Sequence, residues 1–143
     1  MSETHEPEPI TERESFENGY YYFVEAVEVL SLPADVQCQR MDSPYNLAWE
    51  LIHDLGAGEY LLRSPSSSRL SQAQRHAIAT LLADLDGVPS ELFVGGGRVR
   101  NLEVMSQPVW QSLRLRAAQL LRELEPATEE CRRFFGMENE PTS

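Results

Sequence analysis

The sequence predicts an all-α fold, and three observations carry that reading. Apolar residues recur at spacings of three and four through most of the chain. Two segments open with capping-box signatures, Thr11–Glu14 and Ser71–Gln74. Proline and glycine stand where those periodic segments should stop, at Pro33, Gly56 and Gly87. Together they predict one domain of five to six helices over 11–136, packed irregularly and near-orthogonally rather than as a regular four-helix bundle. An acidic lead-in over 1–10 and a frayed tail over 137–143 complete the expected organisation.

The first helix is predicted from Thr11 to about Ser31, with Phe16, Tyr20, Val24 and Val27 on its apolar face. After Pro33 a short helix is expected over 34–40. Ser43 followed by Pro44 reads as a cap and first helical position, opening a helix striped by Leu47, Leu51 and Leu55. Residues 59–63 are expected to be extended or to add one helical turn, and 64–69 to form a loop. Ser71 opens a helix carrying Ile78, Leu81, Leu82 and Leu85 on one side. Residues 92–100 hold three consecutive glycines and suggest a small hairpin or an irregular loop. A long helix over about 107–125 places Val109, Leu113, Ala117, Leu120 and Leu124 within about 80° on a helical wheel. Pro126 should interrupt it, and a terminal helix over 127–135 should end at Gly136.

Composition narrows the function. The 143 residues include 23 acidic and 12 basic side chains, a formal charge of -11. Every basic residue is arginine. Such a chain repels nucleic-acid backbones and anionic membranes, so neither is an expected partner. No apolar run approaches the 18 or so residues of a membrane span, and the first residues lack a signal-peptide pattern. Cys38 and Cys131 form no paired motif, which suggests two reduced thiols in a cytoplasmic protein.

Charge is distributed unevenly. Residues 1–35 hold nine acidic residues and one arginine, whereas 63–122 hold eight arginines and four acidic residues. On a wheel centred on Tyr20, the residues Glu14, Glu17, Tyr21, Glu25 and Glu28 fall together about 60–140° round from the apolar centre. Like charges so placed repel by roughly 0.2–0.5 kcal/mol per adjacent pair. Three readings fit the stripe: a solvated face, a surface for a basic protein, or pairing with the arginine-rich half. Tyr22 and Val29 make a second apolar side, so the helix is either central in the fold or offers that strip to a partner.

Candidates for chemistry are sparse. Glu50 and His53 stand one turn apart, the spacing of helical di-iron ligands. The second pair such a site needs is missing, and no metal or cofactor is expected. Trp49 and His53 share the side of their helix opposite Leu51; core packing or a pocket for a ligand or partner would each explain the exposed-side tryptophan. Arg98 and Arg100 after the three glycines lack the lysine and hydroxyl of a phosphate loop, so a turn is expected there. Arg114, Arg116 and Arg122 are read as solvated, and Trp110 as a core ring. No nucleophile has a base and an orienting third group beside it, and no catalytic residue is assigned.

In general character the chain resembles the small acidic immunity proteins that bacteria encode beside secreted or contact-delivered toxins. It shares their small size, helical reading and acidic, aromatic-bearing helix. The resemblance implies a cytoplasmic, non-enzymatic inhibitor of one cognate toxin, with a basic toxin the expected partner. Glu14, Glu17, Tyr21, Tyr22, Glu25 and Glu28 would make that contact, and Trp49, Glu50 and His53 form a secondary patch. The alternative is an adaptor or secretion-chaperone-like module of a bacterial complex, dimerising through the Tyr22/Val29 side. An enzyme would instead converge Trp49, Glu50 and His53 in an enclosed pocket, with a carboxylate on the imidazole.

Overall fold

The residues whose periodicity predicts the first helix are the residues that bury. In the computed structural model, which describes residues 12–64 and 69–139, helix α1 (Glu12–Leu30) sends Phe16, Tyr20, Phe23, Val24, Val27 and Leu30 into the core. Among the described residues there follow α2 (Ala34–Met41), α3 (Leu47–Leu55), α4 (Ala57–Arg63), α5 (Gln72–Leu85), α6 (Arg98–Met105) and α7 (Val109–Asn139). A 3-10 turn, Ser90–Phe93, precedes α6, and no described residue is in a strand. The fold is all-α. The lead-in over 1–10, the Thr11 cap and the tail beyond Asn139 lie outside the described residues.

Helix α1 is the central element, packed against α7, α4, α3 and α2. Ala26 and Val29 are buried in addition to its main apolar face. This explains why the helix reads as apolar on more than one side. Of the pair Tyr22 and Val29, only Tyr22 reaches solvent, so the strip expected of a dimerising adaptor is half consumed by the core.

Where the chain departs from local expectation, a distant contact is responsible. Ser43 does not cap α3; its hydroxyl accepts from the Tyr45 amide at 3.0 Å and donates to Glu50 Oε1 at 2.9 Å. Asn46 caps instead, accepting from the Trp49 amide at 2.8 Å and donating to the carbonyls of Leu92 and Gly95. A residue that closes a helix and also holds a loop 46 positions away outcompetes one with only local bonds. Of the small hairpin and the irregular loop expected near 92–100, no hairpin forms: the chain runs irregularly to Gly97, and then Asn101, Val104 and Met105 turn one buried face inward at helical spacing and α6 forms. Asn101 fixes that helix to the segment before α3, accepting from the Leu47 amide and donating to the carbonyls of Ser43 and Tyr45. Between the turn and α6, Gly96 lies so close to the Tyr45 backbone that an added Cβ would sit 2.6 Å from a carbonyl carbon.

Pro126 does not divide the last helix; α7 runs through it and through Gly136 to Asn139. The buried stripe Leu113, Ala117, Leu120, Leu124 and Cys131 spans the proline. The Tyr20 hydroxyl donates to the Leu124 carbonyl at 3.1 Å and bonds the Thr128 hydroxyl at 2.7 Å, on either side of it. Packing on α1 therefore outweighs the roughly 3 kcal/mol that an interior proline costs a helix. Trp110 is in the core as expected, its indole N–H donating to the Val104 carbonyl at 2.9 Å. The Ser71–Gln74 capping box forms in both directions.

Arg114, expected in solvent, is half-buried and structural. Its Nε donates to the Leu32 carbonyl at 3.0 Å, and its Nη2 donates to Gln37 Oε1 at 3.1 Å and to the Met105 carbonyl. Gln37 in turn donates to the carbonyls of Val29 and Leu30, each at 3.0 Å. Arg116 is paired too, with Asp84 at 2.5 Å. Among the described residues no buried side-chain polar atom lacks a partner.

The approach of α4 to α1 leaves no room at Gly58, where an added Cβ would stand 2.8 Å from the Phe23 ring and 3.2 Å from Ile78. We expect Gly58→Ala to lower unfolding stability by roughly 1–3 kcal/mol through overpacking. At Gly19 the neighbour is the Tyr60 ring at 3.1 Å, which is 40% exposed and can swing aside. There the gain in helix propensity, up to about 1 kcal/mol, should offset the contact. Urea unfolding of the two variants should rank them in that order.

Candidate functional site

The sequence-predicted acidic stripe divides in the structure. Glu17 is inside, 1% exposed, with its carboxylate paired to the Arg69 guanidinium. The reason lies in its wheel position, about 60° from Tyr20 and so as near the apolar centre as Phe23. Arg69, 52 residues away, supplies the cation that makes burial tolerable. The Glu17 carbonyl also accepts from the Cys131 thiol at 3.7 Å. Glu17 therefore belongs to the scaffold and not to the surface. Glu14, Glu25 and Glu28 are part-exposed, and Tyr21 and Tyr22 are 51% and 65% exposed.

All of these outer residues except Glu14 edge a groove of about 650 Å³ between α1 and α7. Tyr21, Tyr22, Glu25 and Glu28 form one bank, and Thr128 and Arg132 the other. The Tyr20 bonds to Leu124 and Thr128 brace its floor, and burial pushes the Tyr20 phenol well above its ordinary range. The Tyr21 and Tyr22 rings meet edge to face at 6.2 Å. The Tyr21 hydroxyl donates to the Glu25 carboxylate. That bond and the charges of Glu25 and Glu28 hold its phenol protonated to higher pH than usual. The site thus offers two aromatic faces and a row of acceptors, the chemistry of a binding surface for donors and cations.

The secondary patch is on the surface as well. Trp49 is 57% exposed, and its ring stacks on that of His53 at 5.2 Å and 8°. His53 is exposed, and Glu50 turns to Ser43 instead of to the imidazole. The converging, enclosed pocket that an enzyme reading of these three residues requires is not formed. Core packing of Trp49 against a second element is not found either. Among the described residues no group of three or more His, Cys, Asp or Glu side chains is placed to hold a metal ion.

A second groove, of about 570 Å³, joins the two patches. Tyr22 and Glu25 of α1 line it together with Arg40 of α2 and His53 and Asp54 of α3. Burial raises the Asp54 carboxyl above its ordinary range, with His53 opposing and Glu50 adding to the shift. Sequence reading missed Asp54, Arg40 and Arg132, because only the packing of α1 brings them beside its tyrosines. The glycine-rich loop offers no open anion cradle. Arg100 folds onto the carbonyls of Val94 and Glu91 and the carboxylate of Glu103, and Arg98 pairs with Asp42.

No helix among the described residues is long and apolar enough to cross a membrane. No protein-family model matches the chain, and no curated protein or solved structure matches it.

Two substitutions separate the buried carboxylate from the surface ones. Glu17→Ala strands Arg69 and should cost about 2–4 kcal/mol, whereas Glu28→Ala should change stability by no more than about 0.5 kcal/mol. Chemical unfolding measures both. Burial and the Glu17 contact push the Cys131 thiol up to about 12. It should therefore escape iodoacetamide at pH 8 until the protein unfolds, as mass spectrometry of the alkylated chain would record.

Proposed function

We propose that the chain is an immunity-type binding protein that captures and inhibits a basic protein partner, a bacterial toxin, in the cytoplasm. The contact is the outer face of α1: Glu14, Tyr21, Tyr22, Glu25 and Glu28. One observation carries this reading. Two tyrosines at least half exposed stand beside a groove whose near bank is carboxylate, on a helix otherwise held in the core.

The physical division of labour is that of other charged interfaces. The net charge of -11 draws a basic partner in and sets orientation. The tyrosine rings then supply the desolvated area from which most affinity comes. Where the partner is a nuclease, these carboxylates would occupy the place of substrate phosphates and so exclude them. Neither nucleic acid nor a membrane suits a surface of this sign, and no catalytic step is assigned to the chain.

The test is capture of a partner from an extract of the native host with tagged wild-type protein, followed by affinity measurement with purified variants. A single basic protein should elute at near-equal stoichiometry, and its affinity should fall as salt rises. Tyr21→Ala should weaken that complex by roughly tenfold or more. Glu25→Ala should weaken it several-fold and flatten its salt dependence. Undiminished affinity in both folded variants would exclude this face.

A further inference from the structure

Two exposed aromatic rings share a groove with carboxylates, Tyr22 with Glu25 and His53 with Asp54, and the exposed Trp49 ring stacks on His53. They form one strip. Tyr22, Glu25, His53 and Asp54 line the same groove between α1 and α3, and Trp49 continues it by stacking on His53. That groove is lined by two carboxylates, Glu25 and Asp54, and one arginine, Arg40. The chemistry so arranged is a flat π-face next to an anionic acceptor, repeated along a surface.

An arginine side chain satisfies both halves of that arrangement at once. Its guanidinium is planar, permanently charged and weakly hydrated, so it stacks on an aromatic face while its edge donates to a carboxylate. A lysine ammonium has the same charge but is compact and strongly hydrated, and it gains less from the ring. We infer that the docking face extends from α1 across this groove onto α3 and selects arginine side chains of the basic partner, with Trp49 as a principal anchor. The inference rests on the reading of α1 as the docking face and adds to it the second helix and the residue type recognised.

Hexa-arginine amide and hexa-lysine amide, equal in charge, distinguish selection from simple attraction. Each is titrated into the full-length ¹⁵N-labelled chain at physiological salt, and the dissociation constant and the two indole N–H signals are read. Trp110 is fully buried and bonded to Val104, so its signal serves as the fixed reference. Hexa-arginine should bind about three- to fivefold more tightly than hexa-lysine and move the Trp49 indole signal. Trp49→Ala should remove that preference while leaving the unfolding midpoint in place.

Equal affinities, or a stationary Trp49 signal, would overturn the inference. If such unselective binding still weakens in Tyr21→Ala and Glu25→Ala, the α1 reading stands without the extension to α3. If it responds to neither substitution, or no binding occurs, both fail.

Discussion

Arg114 closes the ends of helices that cannot close themselves. The last carbonyls of an α-helix have no partner within it, and at the C-termini of α1 and α6 those groups point into the protein. Arg114 on α7 reaches the carbonyls of Leu32 and Met105 and holds Gln37, which donates to Val29 and Leu30. A cation at two helix C-termini is also favoured by their dipoles. Nearer its start, α1 is tied by the Glu17–Arg69 pair and by the bonds from Tyr20 to α7. These bonds tie α1 to its neighbours along its length and leave its outward side chains out of the scaffold.

That constraint gives the outer face its meaning. A helix clamped in this way presents Tyr21, Tyr22, Glu25 and Glu28 on a rigid backbone, so a partner meeting them need not order the chain first. The carboxylates repel one another, and two large rings stand in water. Beyond the local Tyr21–Glu25 bond and the contact of the two rings, neither feature helps the chain to fold. A surface that works mildly against folding is expected where a protein keeps residues for something other than its own stability. The buried Glu17, one turn from the edge of the same stripe, makes the contrast: there the charge is matched, enclosed and structural.

Local signals were legible and long-range ones were not. The Ser71–Gln74 capping box, the core position of Trp110 and the stripe from Leu113 to Leu124 follow from spacing alone. The all-α class follows with them. Asn46 overtakes Ser43 as a cap only because of its bonds to the carbonyls of Leu92 and Gly95. The helix through Pro126 depends on Tyr20, more than a hundred residues earlier. Arg114 reads as a surface charge, and for Glu17 pairing with the arginine-rich half is only one of three open readings, because their partners come from other elements. At the candidate site, the tyrosines and outer carboxylates were legible as a stripe. The groove that joins them to His53 and Asp54 was not, since it exists only where α1 meets α3.

The central claim is that the fold does not need the outer face of α1. The most direct test is the stability of one combined variant, Tyr21→Ala, Tyr22→Ala, Glu25→Gln and Glu28→Gln, by urea unfolding against the wild type. The account predicts a folded helical protein within about 1 kcal/mol of wild type, with relief of carboxylate repulsion offsetting the loss of half-exposed rings. A loss greater than about 2 kcal/mol would contradict it and return these residues to the scaffold, beside Glu17.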